Sequence, residues 1–108
     1  MATASIIIPC YNEESTLSVC IDRIQNISDE NLTIEIIIVD DGSSDGSKDI
    51  AENLSRRHKN IKALFHDKNQ GKGAALRTGF KKAAGDIVAV QDADLEYDPQ
   101  DLRKLINL

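Results

Sequence analysis

Asp92 and Asp94, separated only by Ala93, follow directly on Ile87-Val88-Ala89-Val90, a short apolar run. Such a run predicts a strand buried on both faces. On extended backbone, residues two apart point to the same side, so the two carboxylates can aim at one point. There they repel unless a cation sits between them. Hard divalent ions such as Mg2+ accept one or two carboxylates and complete their shell with water and phosphate oxygens. The pair therefore suits a metal-bound diphosphate. The competing reading is a loop cluster that caps the next helix.

Three further polar clusters follow apolar runs. Asp40-Asp41-Gly42-Ser43 reads either as turn and cap residues or as a second set of functional acids. A phosphoacceptor receiver domain would need its paired acids after the first strand and a lone aspartate after the third; here the pair follows the second strand and the later acids are doubled. Asn69-Gln-Gly-Lys-Gly73 lacks the full spacing of a phosphate-binding loop, and Lys72 either reaches a diphosphate or stands in solvent. The third cluster is Pro9-Cys-Tyr-Asn-Glu13. His58 and His66 have no spacing to a ligand partner and read as a helix-end cation and a strand-end residue at the sheet rim.

The elements that must position these clusters alternate. Ser5–Cys10 predicts a buried strand closed by Pro9, which cannot donate to a ladder. Asn12 suits an N-cap, with Glu13 and Glu14 at the positive end of a helix whose stripe is Leu17, Cys20, Ile21, Ile24 and Ile27. Ile34–Val39 predicts a second buried strand. A second helix turns Ile50, Ala51 and Leu54 inward and ends in Arg56-Arg57-His58-Lys59, cations matched to its negative end. Ile61–His66 alternates more and predicts an edge strand. A third helix, with Leu76, Phe80 and Ala83 inward, stops at Gly85 as its C′ residue. After the last strand, Asp98-Pro99 opens a fourth helix with Leu102, Leu105 and Ile106 inward. Strand and helix in alternation predict an α/β fold with a mostly parallel sheet of about four strands between helix layers. Ligands in such sheets bind at the carboxyl ends of the strands, where all four polar clusters lie.

Bulk properties agree. A chain of 108 residues holds one domain with a modest core. A net charge of −5 argues against nucleic acid, which needs a basic face. No apolar run approaches the ~18–20 residues of a spanning helix, and no signal-peptide plan is present. Cys10 and Cys20 have neither metal-site nor disulfide-framework spacing, which points to reduced thiols in the cytoplasm.

Four motifs in order, S-I-I-I-P-x-Y-N-E-E from Ser5, V-D-D-G-S-x-D from Val39, N-x-G-K-G-A-A-x-x-x-G from Asn69 and G-D-x-x-x-x-x-D-A-D-L-E-x-x-P from Gly85, resemble family 2 of the inverting nucleotide-sugar glycosyltransferases. Within it, the chain is most similar to the dolichol-phosphate mannose synthase and polyprenyl-phosphate glycosyltransferase group. The resemblance implies a three-layer, Rossmann-like GT-A fold in which residues 1–108 are the donor part of the domain. It places Pro9, Tyr11 and Glu13 around base and ribose, Asp41 on the base with Asp40 beside it, and Lys72 near base or diphosphate. Asp92 and Ala93 would meet the nucleotide, and Asp92 and Asp94 would hold Mg2+ or Mn2+. Glu96, where relatives often carry Gln, would lie beside the donor sugar. The implied donor is a UDP- or GDP-sugar, and the implied acceptor a lipid phosphate or saccharide, at the cytoplasmic face of a membrane in the full-length protein. Family members continue for about as long again, and the acceptor site and any general base belong there, so no catalytic residue is assigned. This part alone is expected to be inactive and to self-associate through an uncovered strand edge. A non-catalytic nucleotide-binding or regulatory α/β domain is the alternative.

Overall fold

A computed structural model describes residues 2–94. The fourth helix expected after Asp98, and Glu96, lie outside the described residues. The element order is β1 (Ala2–Cys10), α1 (Leu17–Gln25), β2 (Leu32–Asp40), α2 (Ser47–Arg57), β3 (Ile61–Phe65), α3 (Lys72–Lys82) and β4 (Ile87–Val90). The four strands form one sheet in the order β3-β2-β1-β4, and every pairing is parallel.

Alternation along the two central strands builds three layers. Ala4, Ile6 and Ile8 of β1 and Ile34, Ile36 and Ile38 of β2 face α1 and α2, where they meet Leu17, Cys20, Ile21, Ile24, Ala51 and Leu54. Ile7, Ile37 and Val39 point the other way, against Ala75 of α3. Both faces of β1 and β2 are therefore covered, which explains their unbroken apolar runs.

Several expectations change. Both central strands begin earlier than their apolar cores, at Ala2 and Leu32. Pro9 ends only one of β1's two ladders. Gln91 N donates to Ile7 O at 3.0 Å, and the next donor on that side would be Pro9, which has no N–H. Pairing with β2 runs on to Cys10 opposite Asp40. Asn12 does not cap α1; Thr16 occupies that position. β4 is not buried on both faces. Among the described residues it lies at the sheet edge, with Val88 41% and Val90 37% exposed.

Leu76 and Ala83 pack against the core as expected, but the buried residues of α3 are Ala75 and Gly79, and Phe80 is 50% exposed. The cause is close approach: a Cβ on Gly79 would sit 2.5 Å from Ile7 Cγ2, so only a glycine lets α3 lie this near β1. Gly85 likewise serves contact and not the C′ position, because Ala83 ends α3. A Cβ on Gly85 would meet the Thr3 carbonyl at 2.7 Å. Its N–H donates to the buried Ser5 hydroxyl at 2.8 Å, and Ala84 N donates to Glu35 Oε2 at 3.1 Å. The turn into β4 is thus moored to the central strands, and Lys62 pairs with Glu35 from β3 at 2.9 Å.

Gly79 sets helix propensity against packing. Alanine in a helix interior gains about 1 kcal/mol over glycine, whereas overfilling a packed core costs about 1–3 kcal/mol. Gly79→Ala is expected to lower the urea midpoint. Gly73→Ala, whose Cβ would meet only Arg77 Nη1 at 3.5 Å, should raise it. Equal shifts in the two variants would contradict the close approach of α3 to β1.

Candidate functional site

The strand order places β2 and β3 on one side of β1 and β4 on the other. The strand order therefore reverses at β1, and a crevice opens at the carboxyl ends of the strands there. A cleft of about 280 Å3 lies there, lined by Pro9, Cys10, Tyr11, Glu13, Asp41, Asn69, Gly71, Lys72, Ala75 and Asp92. Ligand pockets commonly run ~300–1,000 Å3, so the cleft formed by the described residues lies just below that range.

The first wall is the loop after β1. Asn12 takes a positive φ of 53°, a conformation asparagine tolerates better than most residues. Its Oδ1 accepts from Ser44 N at 2.8 Å, and its own N–H donates to Ser43 Oγ at 2.9 Å. Glu13 N donates to Ser47 Oγ at 2.8 Å, and Glu14 Oε2 accepts from Gly46 N at 2.8 Å. Glu14 thus meets the positive end of α2, not that of α1 as the sequence suggests. These bonds lock the loops after β1 and β2 together and leave Tyr11 47% exposed on the cleft.

Asp41 organises the second wall. Its carboxylate is nearly buried and accepts from His66 Nδ1 at 2.7 Å and from the backbone N–H groups of Gln70 and Gly71, each at 2.9 Å. Burial alone would push its pKa up, but the His66 hydrogen bond and the two amides outweigh it and hold it below the usual carboxylate value. Asp41 therefore fixes the loop that starts α3 with Lys72. Gly42, at φ 75°, completes the arrangement, because a Cβ there would lie 2.5 Å from Asn69 N. His66 Nε2 lies 2.8 Å from Thr78 Oγ1, so an Asp41–His66–Thr78 chain joins the ends of β2 and β3 to α3. Sequence spacing did not single out His66; its one signal was a polar residue at a strand's carboxyl end.

Asp40 lies behind the cleft and is not among its lining residues. It is 1% exposed, and its Oδ2 accepts from Ser43 N at 3.1 Å. Its Oδ1 is the one buried side-chain oxygen without a hydrogen-bond partner among the described residues.

The third wall is the D-A-D segment. Asp92 reaches the cleft, and its Oδ1 lies 2.8 Å from Lys72 Nζ. Ala93 is buried, and its carbonyl accepts from the Thr16 hydroxyl at 2.6 Å, while Cys20 Sγ lies 3.5 Å from Asp92 O. The start of α1 therefore holds this backbone in place. The chain turns at Ala93-Asp94 and leaves the extended form; Asp94 is exposed and lies outside the cleft lining. The strict alternation expected to aim both carboxylates at one point does not persist to Asp94. No group of three or more His, Cys, Asp or Glu side chains that could hold a metal occurs among the described residues. Cys10 and Cys20 are free, and burial pushes both thiols up to about 11, which keeps them protonated and poor nucleophiles at neutral pH.

Residues 5–108 match the family model described as glycosyl transferase family 2. The chain is 40% identical over 102 residues to a dolichol-phosphate mannosyltransferase of Pyrococcus furiosus, covering 94% of this chain and 28% of the relative. It is equally 40% identical over 104 residues to an undecaprenyl-phosphate 4-deoxy-4-formamido-L-arabinose transferase of Pectobacterium carotovorum, covering 94% and 32%. Among solved structures, a mannosyltransferase from Pyrobaculum calidifontis in complex with GDP-Man and Mn2+ superposes with a TM-score of 0.77 at 25% identity, over 94% of this chain and 31% of that one. The chain thus spans less than a third of these relatives, which are longer than the doubling that the resemblance implied.

Because Asp41 has its pKa lowered by folding, its ionised form stabilises the fold above the unfolded-state value of about 3.9. That contribution is lost as the pH falls through the lower folded value. Asp41→Asn should therefore be less stable at pH 7 by about 1.5–3 kcal/mol, the usual worth of hydrogen bonds to a charged group. It should also show a shallower fall in stability below pH 4, as followed by urea unfolding at several pH values. A slope identical to that of the wild type would remove Asp41 from the acid response.

Proposed function

The chain belongs to glycosyl transferase family 2, and from that premise we propose that residues 1–108 form the donor-binding part of a metal-dependent, inverting glycosyltransferase that uses a UDP- or GDP-sugar. The observation that carries this reading is the cleft itself, where an exposed aromatic ring faces the same space as a carboxylate and a lysine ammonium. A planar base suits Tyr11, with Pro9 and Glu13 closing on base and ribose. Asp41 takes one N–H of the base. Its Oδ1 is committed to His66 and Gln70 and its Oδ2 to Gly71, so one acceptor position remains on Oδ2. Asp40 supports Asp41 from behind, as the next residue on the same strand end.

Mg2+ or Mn2+ fits the donor set, with Asp92 and Asp94 as ligands and Ala93 as the spacer against the nucleotide. Two hard carboxylates suit an ion that keeps several waters and shares its shell with substrate phosphates. When bound, the ion offsets charge on the departing nucleoside diphosphate. Lys72 adds a second positive charge on the opposite wall; for Glu96, outside the described residues, the resemblance implies a contact with the donor sugar.

For the acceptor we propose a polyprenyl phosphate, because relatives at 40% identity carry names of dolichol-phosphate and undecaprenyl-phosphate transferases. A phosphate acceptor is already an anion and needs far less help from a general base than a hydroxyl does. No helix among the described residues is long and apolar enough to cross a membrane.

Calorimetric titration of UDP and GDP with Mn2+ should give binding that weakens at least about tenfold, or ~1.4 kcal/mol, in excess chelator. Asp94→Asn should reproduce the loss with Mn2+ present. Equal affinity under all these conditions would exclude a metal-bridged diphosphate.

A further inference from the structure

The ion pair between Lys72 and Asp92 spans the cleft from one wall to the other, Nζ to Oδ1, at 2.8 Å. Both ends are mounted on fixed backbone. On Lys72's side, Asp41 holds the Gln70 and Gly71 amides, and the loop packs against Gly42 too closely to admit a Cβ. On the other, Gln91 N is bonded to Ile7 O at 3.0 Å, and Thr16 and Cys20 hold the Ala93 and Asp92 carbonyls. The side chains themselves remain accessible, Lys72 at 58% and Asp92 at 29% exposure. Rearrangement at this point is therefore a matter of side-chain rotation between two rigid walls.

A divalent ion and the Lys72 ammonium compete for the same oxygen. Mg2+ bonds carboxylate oxygens at about 2.0–2.1 Å, and an ammonium held against that same oxygen would face the ion's like charge at short range. We propose that Lys72 is a resident counter-ion that occupies the metal carboxylate Asp92 until the divalent ion displaces it, and that the freed ammonium then serves the donor's diphosphate. This rests on the metal-nucleotide reading of the cleft given above. The ion alone must displace Lys72 without compensation, whereas an ion arriving with a nucleotide gives the ammonium new phosphate oxygens to bind. Metal and nucleotide binding are then coupled through one side chain, and Lys72 acts as a positioning residue for both.

The test is a Mn2+ titration read by electron paramagnetic resonance of the free ion, with and without UDP or GDP, in the wild type, Lys72→Met and Lys72→Arg. Circular dichroism checks that each variant is folded; methionine is a good helix former at this exposed position. Without nucleotide, Lys72→Met should bind Mn2+ about two- to fivefold tighter than the wild type, the range expected for loss of an exposed ion pair. With nucleotide it should bind Mn2+ more weakly than the wild type. Lys72→Arg, which keeps the charge, should retain the weak metal-only binding. Metal-only binding that is no tighter in Lys72→Met, undetectable binding included, overturns the counter-ion role. If wild type and variants also fail to bind Mn2+ in the presence of UDP and GDP, the metal-nucleotide reading falls with it; if they bind it normally there, that reading stands and only the counter-ion role is lost.

Discussion

A carboxylate removed from water must find donors or surrender its charge, and at the end of β2 this constraint shapes the whole binding face. Asp41 finds its donors in His66 at the end of β3 and in two amides of the loop entering α3. Satisfying one buried charge therefore joins three segments that the sheet alone would leave independent. The loop so fixed carries Lys72, and Lys72 in turn meets Asp92 from the far edge of the sheet. The ends of three strands, β2, β3 and β4, are gathered around one crevice by a short chain of charge-assisted bonds.

The fold supports this by making the sheet rigid and the loops short of freedom. Central strands covered on both faces put a continuous isoleucine-rich layer beneath the cleft. Close approach at Gly79 brings α3 down onto β1, and close approach at Gly85 lays the turn into β4 across the start of the same strand. Neither glycine is there for a left-handed backbone; each is there because a methyl group would not fit. The loops after β1 and β2 are joined side by side through Asn12, Glu13 and Glu14. Binding residues on connections between strands and helices are usually mobile. Here the connections hold one another, leaving the exposed side chains of Tyr11 and Lys72 to adjust.

A pre-set backbone with movable charged tips suits the recognition of a polyanion. On the function proposed above, a lysine on a rigid mount can follow a nucleoside diphosphate as negative charge builds on it during departure, which fixed amides and helix ends cannot. In the cleft a lysine and an aspartate lie in direct contact, so that each neutralises the other.

Much of this was written locally. Apolar runs at Ile6–Ile8, Ile34–Val39 and Ile87–Val90 determined the strands, the stripe through Leu17, Cys20, Ile21 and Ile24 determined α1, and their alternation determined a parallel sheet, because each depends on the periodicity of neighbouring residues. The polar clusters were visible as departures from that periodicity at strand ends. What only the tertiary structure decided involves residues far apart in the chain. Among the described residues β4 is an edge strand, and its apolar run, which reads as doubly buried, leaves Val88 and Val90 exposed on one face. Asn12, an ordinary cap by its type, bonds instead to residues 32 and 33 positions away. His66 gains its place from an aspartate 25 positions earlier. Phe80 yields the inward face of α3 to Gly79, because the distance between α3 and β1 leaves no room for a large side chain. Hydrogen bonds and steric limits between distant segments leave no period in the sequence, and they exist only once the chain has brought those segments together.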